Sequence, residues 1–236
     1  MRKKLIYILI FGVILNSCDF TSAEEYVNMA HEYEEKGELL MAIESLDKAI
    51  EKKPNFRPAL LNRGYYKSQL GKREDGILDY KKILSFDSGN TLALFNIGIN
   101  YQELAEYEKA IDFFTRALNS DGVSSVLPSS DGGYLVMRAS IDFDPMDNDM
   151  DFEVTKSEIE FSRGVNYLFN EQYDYAISDF ENTIKANYDK VNGYFFLGEI
   201  YLKKDNFEKA CEYYKLSASL GDLDAKKKLK KHCEKE

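Results

Sequence analysis

The residues of this chain whose types and spacing could do chemistry are concentrated in one acidic stretch in its second half. The carboxylates alternate and are followed by a more distant glutamate: Asp147, Asp149, Asp151, Glu153 and Glu158. Oxygen ligands at this spacing suit Ca²⁺, but Phe152 stands where a calcium loop needs glycine for its sharp turn. Two interpretations follow: a calcium site, or acidic residues that lead into a helix N-terminus, where the helix dipole favours carboxylates.

Other catalytic or metal-binding constellations are absent from the sequence. The two histidines, His31 and His232, are far apart in the chain, and no HExxH, phosphate-loop, GxSxG or CxxC motif occurs. No group of residues combines a nucleophile, a base and an oxyanion donor. The sequence therefore predicts a protein that is not an enzyme, has no cofactor, binds no small-molecule substrate and has no assigned metal site.

The first residues have the pattern of an export signal. A basic start precedes an apolar run over 5–15, which is too short to span a bilayer about 30 Å thick. The run ends in Leu15-Asn16-Ser17-Cys18, which resembles the lipobox of bacterial lipoproteins. The resemblance implies that 1–17 is a signal peptide and that Cys18 carries a diacylglycerol. An ordinary signal peptide with an unmodified cysteine is the alternative.

The resemblance to lipoproteins also implies a location. The protein is expected at the bacterial cell envelope as a membrane-anchored lipoprotein, with the membrane and the leaflet left open. Residues 18–22 hold the anchor and a short spacer before the first amphipathic segment. Four extended residues reach about 13–14 Å, so the folded body is expected to lie close to the membrane.

The charge of the chain disfavours nucleic acid as a partner. The formal net charge is -10, and removal of 1–17, which carries three basic residues and no acidic one, makes it -13. So acidic a protein lacks the cationic surface that phosphate backbones require. The 44% hydrophobic content nevertheless suits a folded body.

Small residues recur at an interval of 34 in two parallel series, with a longer gap of 66 between the third and fourth members of each. The first series contains Ala30, Gly64, Gly98, Gly164 and Gly198. The second contains Ala42, Gly76, Ala110, Ala176 and Ala210. Each lies within an amphipathic helical stretch, so each predicts a close approach of two helices beside a large aromatic side chain.

This pattern resembles the tetratricopeptide repeat, a helix–turn–helix unit of this length. Aromatic residues at matching positions add to the likeness, such as Tyr33, Tyr101 and Tyr167. The units cover 23–56, 57–90, 91–124, 157–190 and 191–224. The resemblance implies an all-α solenoid of antiparallel helix pairs, with repeats 1–3 over 23–124 and repeats 4–5 over 157–224.

Repeats of this family bind protein segments in a concave groove lined by their first helices. The groove stripe is expected one residue after the core stripe. It comprises Val27, Leu61, Tyr65, Phe95, Ile99, Phe161, Val165 and Phe195. So apolar a strip predicts that it is covered, either by an apolar or amphipathic segment of a partner or by another segment of this chain. Asn28, Asn62 and Asn96 also recur at 34 and are either groove donors or scaffold residues.

An insert over 125–156 separates the third and fourth repeats. Its length is close to one repeat, but Pro128 and Pro145 would break the helices of a decayed unit. Alternation of apolar and polar residues over 134–143 predicts a strand instead, with 123–127 as its partner across a turn. The sequence thus favours a β-hairpin followed by an acidic loop, and the apolar groove is the predicted resting place of the hairpin.

The last residues, 225–236, are predicted to form a capping helix. Ala225, Leu229 and Cys233 recur at spacing four, and lysines fill the other faces. A solvated end face is one interpretation of the lysines. Recognition of an acidic partner or of anionic lipid is the other.

The two remaining cysteines lie on either side of the predicted turn before this helix. Cys211 and Cys233 are centred on Asp222, so an antiparallel helix pair would place them opposite each other. In an exported protein they are predicted either to form a disulfide or to remain two buried thiols. The sequence as a whole predicts a non-catalytic lipoprotein scaffold that binds a protein partner. A calcium-responsive binding protein that uses the acidic insert is the alternative.

Overall fold

The computed structural model describes residues 20–120, 122, 125–128, 134–137 and 154–234. Within these ranges the chain forms eleven helices and one two-stranded sheet. The first six helices are α1 (Ala23–Glu35), α2 (Leu39–Lys52), α3 (Arg57–Gln69), α4 (Arg73–Leu84), α5 (Thr91–Glu103) and α6 (Tyr107–Leu118). The strands β1 (Ser125–Pro128) and β2 (Tyr134–Met137) follow. The remaining helices are α7 (Lys156–Phe169), α8 (Tyr173–Lys185), α9 (Lys190–Lys203), α10 (Phe207–Ser219) and α11 (Leu223–His232).

Local signals fix where the helices begin and turn. Ser22 forms a capping box with Glu25, and Thr155 accepts a hydrogen bond from the backbone N–H of Glu158 at the start of α7. Each first helix of a pair ends two residues before a residue with positive φ. Glycine occupies this place in the first two pairs, at Gly37 and Gly71. Glycine adopts this conformation without a steric cost, which favours the tight turn into the second helix.

The helix pairs stack in one continuous series. Each first helix packs on its own second helix, and each second helix packs on the first helix of the next pair. The series continues across the insert, because α6 packs directly on α7. First helices also approach one another, α3 with α5, α5 with α7 and α7 with α9. The first helices therefore line the inner side of the stack, and the predicted all-α solenoid is confirmed.

The recurring glycines mark the tightest contacts in the core. A Cβ at Gly98 would lie 2.7 Å from the ring of Phe114, and one at Gly198 would lie 2.6 Å from the ring of Tyr214. Both rings are fully buried. The predicted pairing of small residues with large aromatic ones is confirmed. Every hydrophobic cluster of the described residues lies between Ala23 and Cys233.

The described part of the insert is a β-hairpin. Strands β1 and β2 are antiparallel, with Val126 opposite Val136 and Leu127 opposite Leu135. The strand pairing that the alternating pattern predicts is present over 125–128 and 134–137, and β1 passes close to α7. The remaining predicted strand residues, 123–124 and 138–143, lie outside the described residues. Before α7, Val154 is buried against the core that repeats 2 and 3 share with Ile159. Placement of the hairpin in the groove stays a prediction.

The described helices are short compared with membrane spans. None of them combines the length and the apolar character needed to cross a bilayer.

Candidate partner-binding face

The structure places the predicted groove stripe on the first helices but buries much of it. Val27, Leu61 and Phe95 are buried, and only Tyr65, with 46% of its surface exposed, is freely accessible. The other four members of the stripe are partly buried: Ile99, Phe161, Val165 and Phe195. The stripe is thus less exposed than the sequence predicts. The reason is that Val27, Leu61 and Phe95 belong to core clusters that extend across neighbouring repeats.

Aromatic packing explains the burial in the last two repeats. The Phe161 ring lies 5.9 Å from the Phe196 ring and 5.9 Å from the Tyr188 ring, measured between centroids. Phe195 lies 6.0 Å from the buried Tyr214 in the same way. Such tilted and edge-on pairs stabilise one another beyond their buried area. This half of the inner face is therefore a rigid aromatic surface.

Polar side chains join adjacent first helices in the first half of the inner face. The Asn62 side-chain amide lies 3.0 Å from Nε2 of His31, and the Tyr66 hydroxyl donates a 2.7 Å hydrogen bond to Glu34. Burial raises the pKa of Tyr66, and the adjacent Glu34 carboxylate raises it further. A hydroxyl that stays protonated is a lasting donor, so this bond links repeats 1 and 2 at every pH near neutrality.

The other members of the recurring asparagine series differ in their surroundings. Asn28 is exposed, and Asn96 is partly buried. Repeats 3 and 4 are also linked by a hydrogen bond, but an asparagine outside this series donates it. Asn166 donates a 2.7 Å hydrogen bond to Gln102. No motif in the sequence points to these links, since they join residues in different repeats whose relative placement depends on the stacking.

Two arginines link neighbouring repeats through side-chain hydrogen bonds. Arg163 donates two hydrogen bonds of 2.8 Å to the buried carboxylate of Asp179 and one of 3.2 Å to Thr115 of the preceding repeat. Arg63 makes the matching bonds to Asp79 and to Asp47 of the preceding repeat. Neither set of arginine hydrogen bonds was predicted from the sequence. A usable signal was present, because Arg and Asp recur 16 residues apart at the same positions of two repeats.

Two acidic side chains at the start of α7 are partly withdrawn from water. Burial raises the pKa of Glu158, against a smaller opposing effect of a hydrogen bond at Thr155. Burial also raises the pKa of Glu160, although the Lys156 ammonium opposes the shift. Glu158 belongs to the predicted calcium ligands, but the other four lie outside the described residues. Among the described residues, no cluster of His, Cys, Asp and Glu could hold a metal ion.

A disulfide joins Cys211 on α10 to Cys233 after α11, with 5.7 Å between their Cα atoms. Of the two alternatives for these cysteines, the structure contains the disulfide. It holds the terminal helix against the last repeat, where α11 buries Ala225 completely and Leu229 in part. Cys18, the predicted lipidation site, lies outside the described residues, so its modification stays a prediction.

Comparison with known proteins supports the repeat architecture. Profiles of the tetratricopeptide repeat match 23–56, 92–123 and 161–225, which together make up more than half of the chain. Curated proteins match over shorter stretches. The Protein SGT1 homolog of Bos taurus is 36% identical over 81 residues, 34% of this chain and 24% of that protein. A probable UDP-N-acetylglucosamine–peptide N-acetylglucosaminyltransferase SPINDLY of Hordeum vulgare is 29% identical over 92 residues, 36% of this chain and 10% of that protein. The chain thus spans less than a quarter of either relative.

Solved structures with the same fold cover most of the chain. MamA from Desulfovibrio magneticus aligns over 84% of this chain and 94% of its own, with a TM-score of 0.65 and 15% identity. YrrB, described as a TPR protein with an unusual peptide-binding site, aligns over 89% of this chain and 92% of its own, with a TM-score of 0.65 and 19% identity. At such identities the likeness shows the fold alone. The repeat profiles and the stacked helix pairs agree, and this chain belongs to the tetratricopeptide-repeat family, whose members bind protein or peptide partners.

Proposed function

We propose that this protein is a non-catalytic, lipid-anchored scaffold of the bacterial envelope that holds a segment of another protein on its inner face. The observation that carries the proposal is the inner face itself. A rigid aromatic half and a polar half lie side by side on first helices that direct bonds between repeats hold in place. A face that is already ordered loses little entropy when a partner binds.

The chemistry of the face suits a segment with one apolar and one polar side. Partly exposed Ile99, Val165 and Phe195 offer apolar contacts, and Tyr65 offers a ring with a hydroxyl at its edge. His31 and Asn62 offer hydrogen-bonding groups beside it. An amphipathic helix or an extended peptide would bury the apolar positions and satisfy the polar ones. The similarly folded YrrB has a peptide-binding site, which supports this kind of occupant.

Binding through this face is tested by one variant at its freely accessible position, Tyr65, and one at the partly buried Val165. Tyr65→Glu and Val165→Glu place charges on the inner side, whereas the matched control Leu78→Glu places one on a second helix where the side chain is 63% exposed. Affinity capture from solubilised envelopes, with bound proteins compared by quantitative mass spectrometry, is expected to lose the same proteins with both inner variants. Equal recovery by all variants and by the parent would show that the partner binds elsewhere.

Anchoring is tested separately. Cys18→Ser is expected to move the protein from the membrane fraction to the soluble fraction and to abolish the mass increment of a diacylglycerol on the N-terminal peptide. A membrane-bound Cys18→Ser protein would contradict the proposed anchor. Calorimetry with Ca²⁺ addresses the alternative function, since neither heat nor a change in Tm is expected if the acidic insert only leads into α7.

A further inference from the structure

The two ends of the solenoid differ in how they finish the stack. At the C-terminal end, α11 covers the last repeat, and a disulfide holds it there. At the N-terminal end, the first helix pair has no earlier repeat against it in the described chain. Among the described residues, no element other than those of its own and the following repeat packs on the first helix pair. The outer side of the first repeat is thus an end face of the described solenoid.

Met29 lies on this end face, at a position that contacts the preceding repeat or is buried in the other repeats. The equivalent positions in the other repeats all contact the preceding repeat or are fully buried. Arg63 bonds to Asp47, and Arg163 bonds to Thr115. Ile97 and Leu197 are completely buried. In the first repeat the same position carries an apolar side chain that is 37% exposed.

Besides Met29, a pair of exposed apolar residues on α2 distinguishes the first repeat from the others. Leu40 and Met41, exposed by 60% and 42%, lie in the first turn of α2. The equivalent pairs are acidic or otherwise non-aliphatic: Glu74-Asp75, Glu108-Lys109, Asp174-Tyr175 and Glu208-Lys209. In three repeats the second member lies over the tyrosine of the first helix, as Lys109 does over Tyr101. This relation places Met41 beside Tyr33. Because Tyr33 lies one helical turn after Met29 on α1, Met29 and Met41 share one face.

The two ends of the solenoid also carry opposite charge. Residues 23–52, which form the first helix pair, contain nine carboxylates and three lysines, whereas α11 contains five lysines and one aspartate. Glu25 and Glu32 lie one turn to either side of Met29 on α1, and both are exposed. On α11, Leu223 shares its exposed stripe with Lys226, Lys227 and Lys230. Each end thus combines an apolar centre with a charged border, of opposite sign.

We propose that the acidic N-terminal end face of one copy binds the lysine-bearing face of α11 on a second copy, so that the protein assembles head to tail. The occupant of the end face is thus this chain itself. Complementary charge selects the head-to-tail arrangement, because two N-terminal faces would bring carboxylates together. The contact uses different surfaces at its two sides, so it extends into short chains rather than stopping at a symmetric dimer. It leaves the inner face free for its own partner.

The test uses the chain from residue 18 onward with Cys18→Ser, because every core cluster of the described residues lies between Ala23 and Cys233. An N-end variant carries Met29→Glu and Met41→Glu, and a C-end variant carries Lys226→Glu, Lys230→Glu and Lys231→Glu; all five side chains are exposed. The matched controls are Leu78→Glu and the triple variant Lys82→Glu, Lys185→Glu and Lys215→Glu, at exposed positions elsewhere.

Sedimentation velocity at increasing protein concentration gives the readout. At about 50 mM salt, the parent and both controls are expected to form larger oligomers as the protein concentration rises. At about 500 mM salt, the apparent Kd of this association is expected to be about tenfold weaker. Each end variant alone is expected to stay monomeric. An equimolar mixture of the two end variants keeps one intact contact, so it is expected to form a dimer and nothing larger.

Three results would overturn the proposal. The first is a parent that stays monomeric throughout, whether or not it sediments with phosphatidylglycerol-containing vesicles. The second is self-association of either end variant alone. The third is a mixture of the end variants that remains monomeric. Tyr65→Glu serves as a further control and is expected to leave the assembly unchanged.

Discussion

Buried ion pairs between the two helices of a repeat differ in how many cations the carboxylate contacts. Asp179 is bonded by Arg163 on two nitrogens, and no other cation among the described residues reaches it. Asp79 is bonded by Arg63 and also by Lys67, at 2.8 Å. A buried carboxylate without a cation is costly, so the number of partners decides how much each arginine matters.

Removal of Arg163 is therefore expected to cost more stability than removal of Arg63. Arg163→Met leaves Asp179 buried without a cation and is expected to lower the free energy of unfolding by about 3–5 kcal/mol. Arg63→Met is expected to cost clearly less, because Lys67 remains beside Asp79. Urea unfolding followed by circular dichroism measures both, with Arg116→Met at an exposed position as the control.

A double variant separates charge from packing in this comparison. Arg163→Met with Asp179→Leu removes the buried charge as well as its partner, so most of the lost stability is expected to return. Equal losses in Arg163→Met and Arg63→Met, or no recovery in the double variant, would show that the arginines act through side-chain packing instead.

At the scale of the helix pair, glycine sets the distance between the two helices. The space at the glycine differs between repeats. A Cβ at Gly198 would meet the Tyr214 ring at 2.6 Å, whereas one at Gly164 would meet its nearest atoms at 3.2 Å. The Tyr214 ring is fully buried, and its hydroxyl is bonded to Glu199. The ring cannot move aside without breaking that bond.

Alanine substitutions are expected to follow this order. Gly198→Ala is expected to destabilise by about 1–2 kcal/mol, because the steric cost exceeds the helix propensity that alanine adds. Gly164→Ala is expected to cost less, and Gly89→Ala, which has open space around it, is expected to be neutral. Thermal unfolding of the three variants gives the ranking. A Gly198→Ala protein as stable as the parent would show that the helix pair separates easily.

The terminal helix depends on its covalent link. Helix α11 buries little apolar surface, and the disulfide closes a loop of 22 residues by sequence separation. Loops of this size contribute about 3 kcal/mol through the entropy of the unfolded chain. Reduction is therefore expected to expose the amides of 223–233 to hydrogen exchange while those of α1–α4 stay protected. Unchanged exchange at the terminal helix after reduction would show that its packing suffices.

At the scale of the whole molecule, periodicity predicted the architecture because each repeat carries the same small and large residues. It could not predict how exposed the groove is. Val27, Leu61 and Phe95 follow the core stripe by one residue, which suggests an open surface in an isolated helix pair. In the stack, Val27 belongs to a core cluster that includes Ala59 and Tyr66 of the next repeat, and Leu61 and Phe95 belong to the core that repeats 2 and 3 share. That packing depends on how the repeats stack and leaves no periodic trace in any one of them.

Contacts between repeats also account for the side-chain pairings that the sequence does not predict. The bonds of His31 to Asn62 and of Glu34 to Tyr66 join residues 31 and 32 positions apart. Neither pair has a sequence motif, because a histidine or glutamate on a helix surface is ordinarily solvated. The disulfide was predicted as one of two alternatives, since the spacing allowed it but did not require it.

Binding of the protein partner on the inner face is the central proposal for the whole molecule. Site-specific photo-crosslinking in intact cells tests it most directly, with a photoreactive amino acid at Tyr65 or at Val165, and at Leu78 as the control on a second helix. We predict that both inner positions give a covalent adduct with the same envelope protein and that position 78 does not. Adducts with that protein from position 78 but from neither inner position would contradict binding on the inner face.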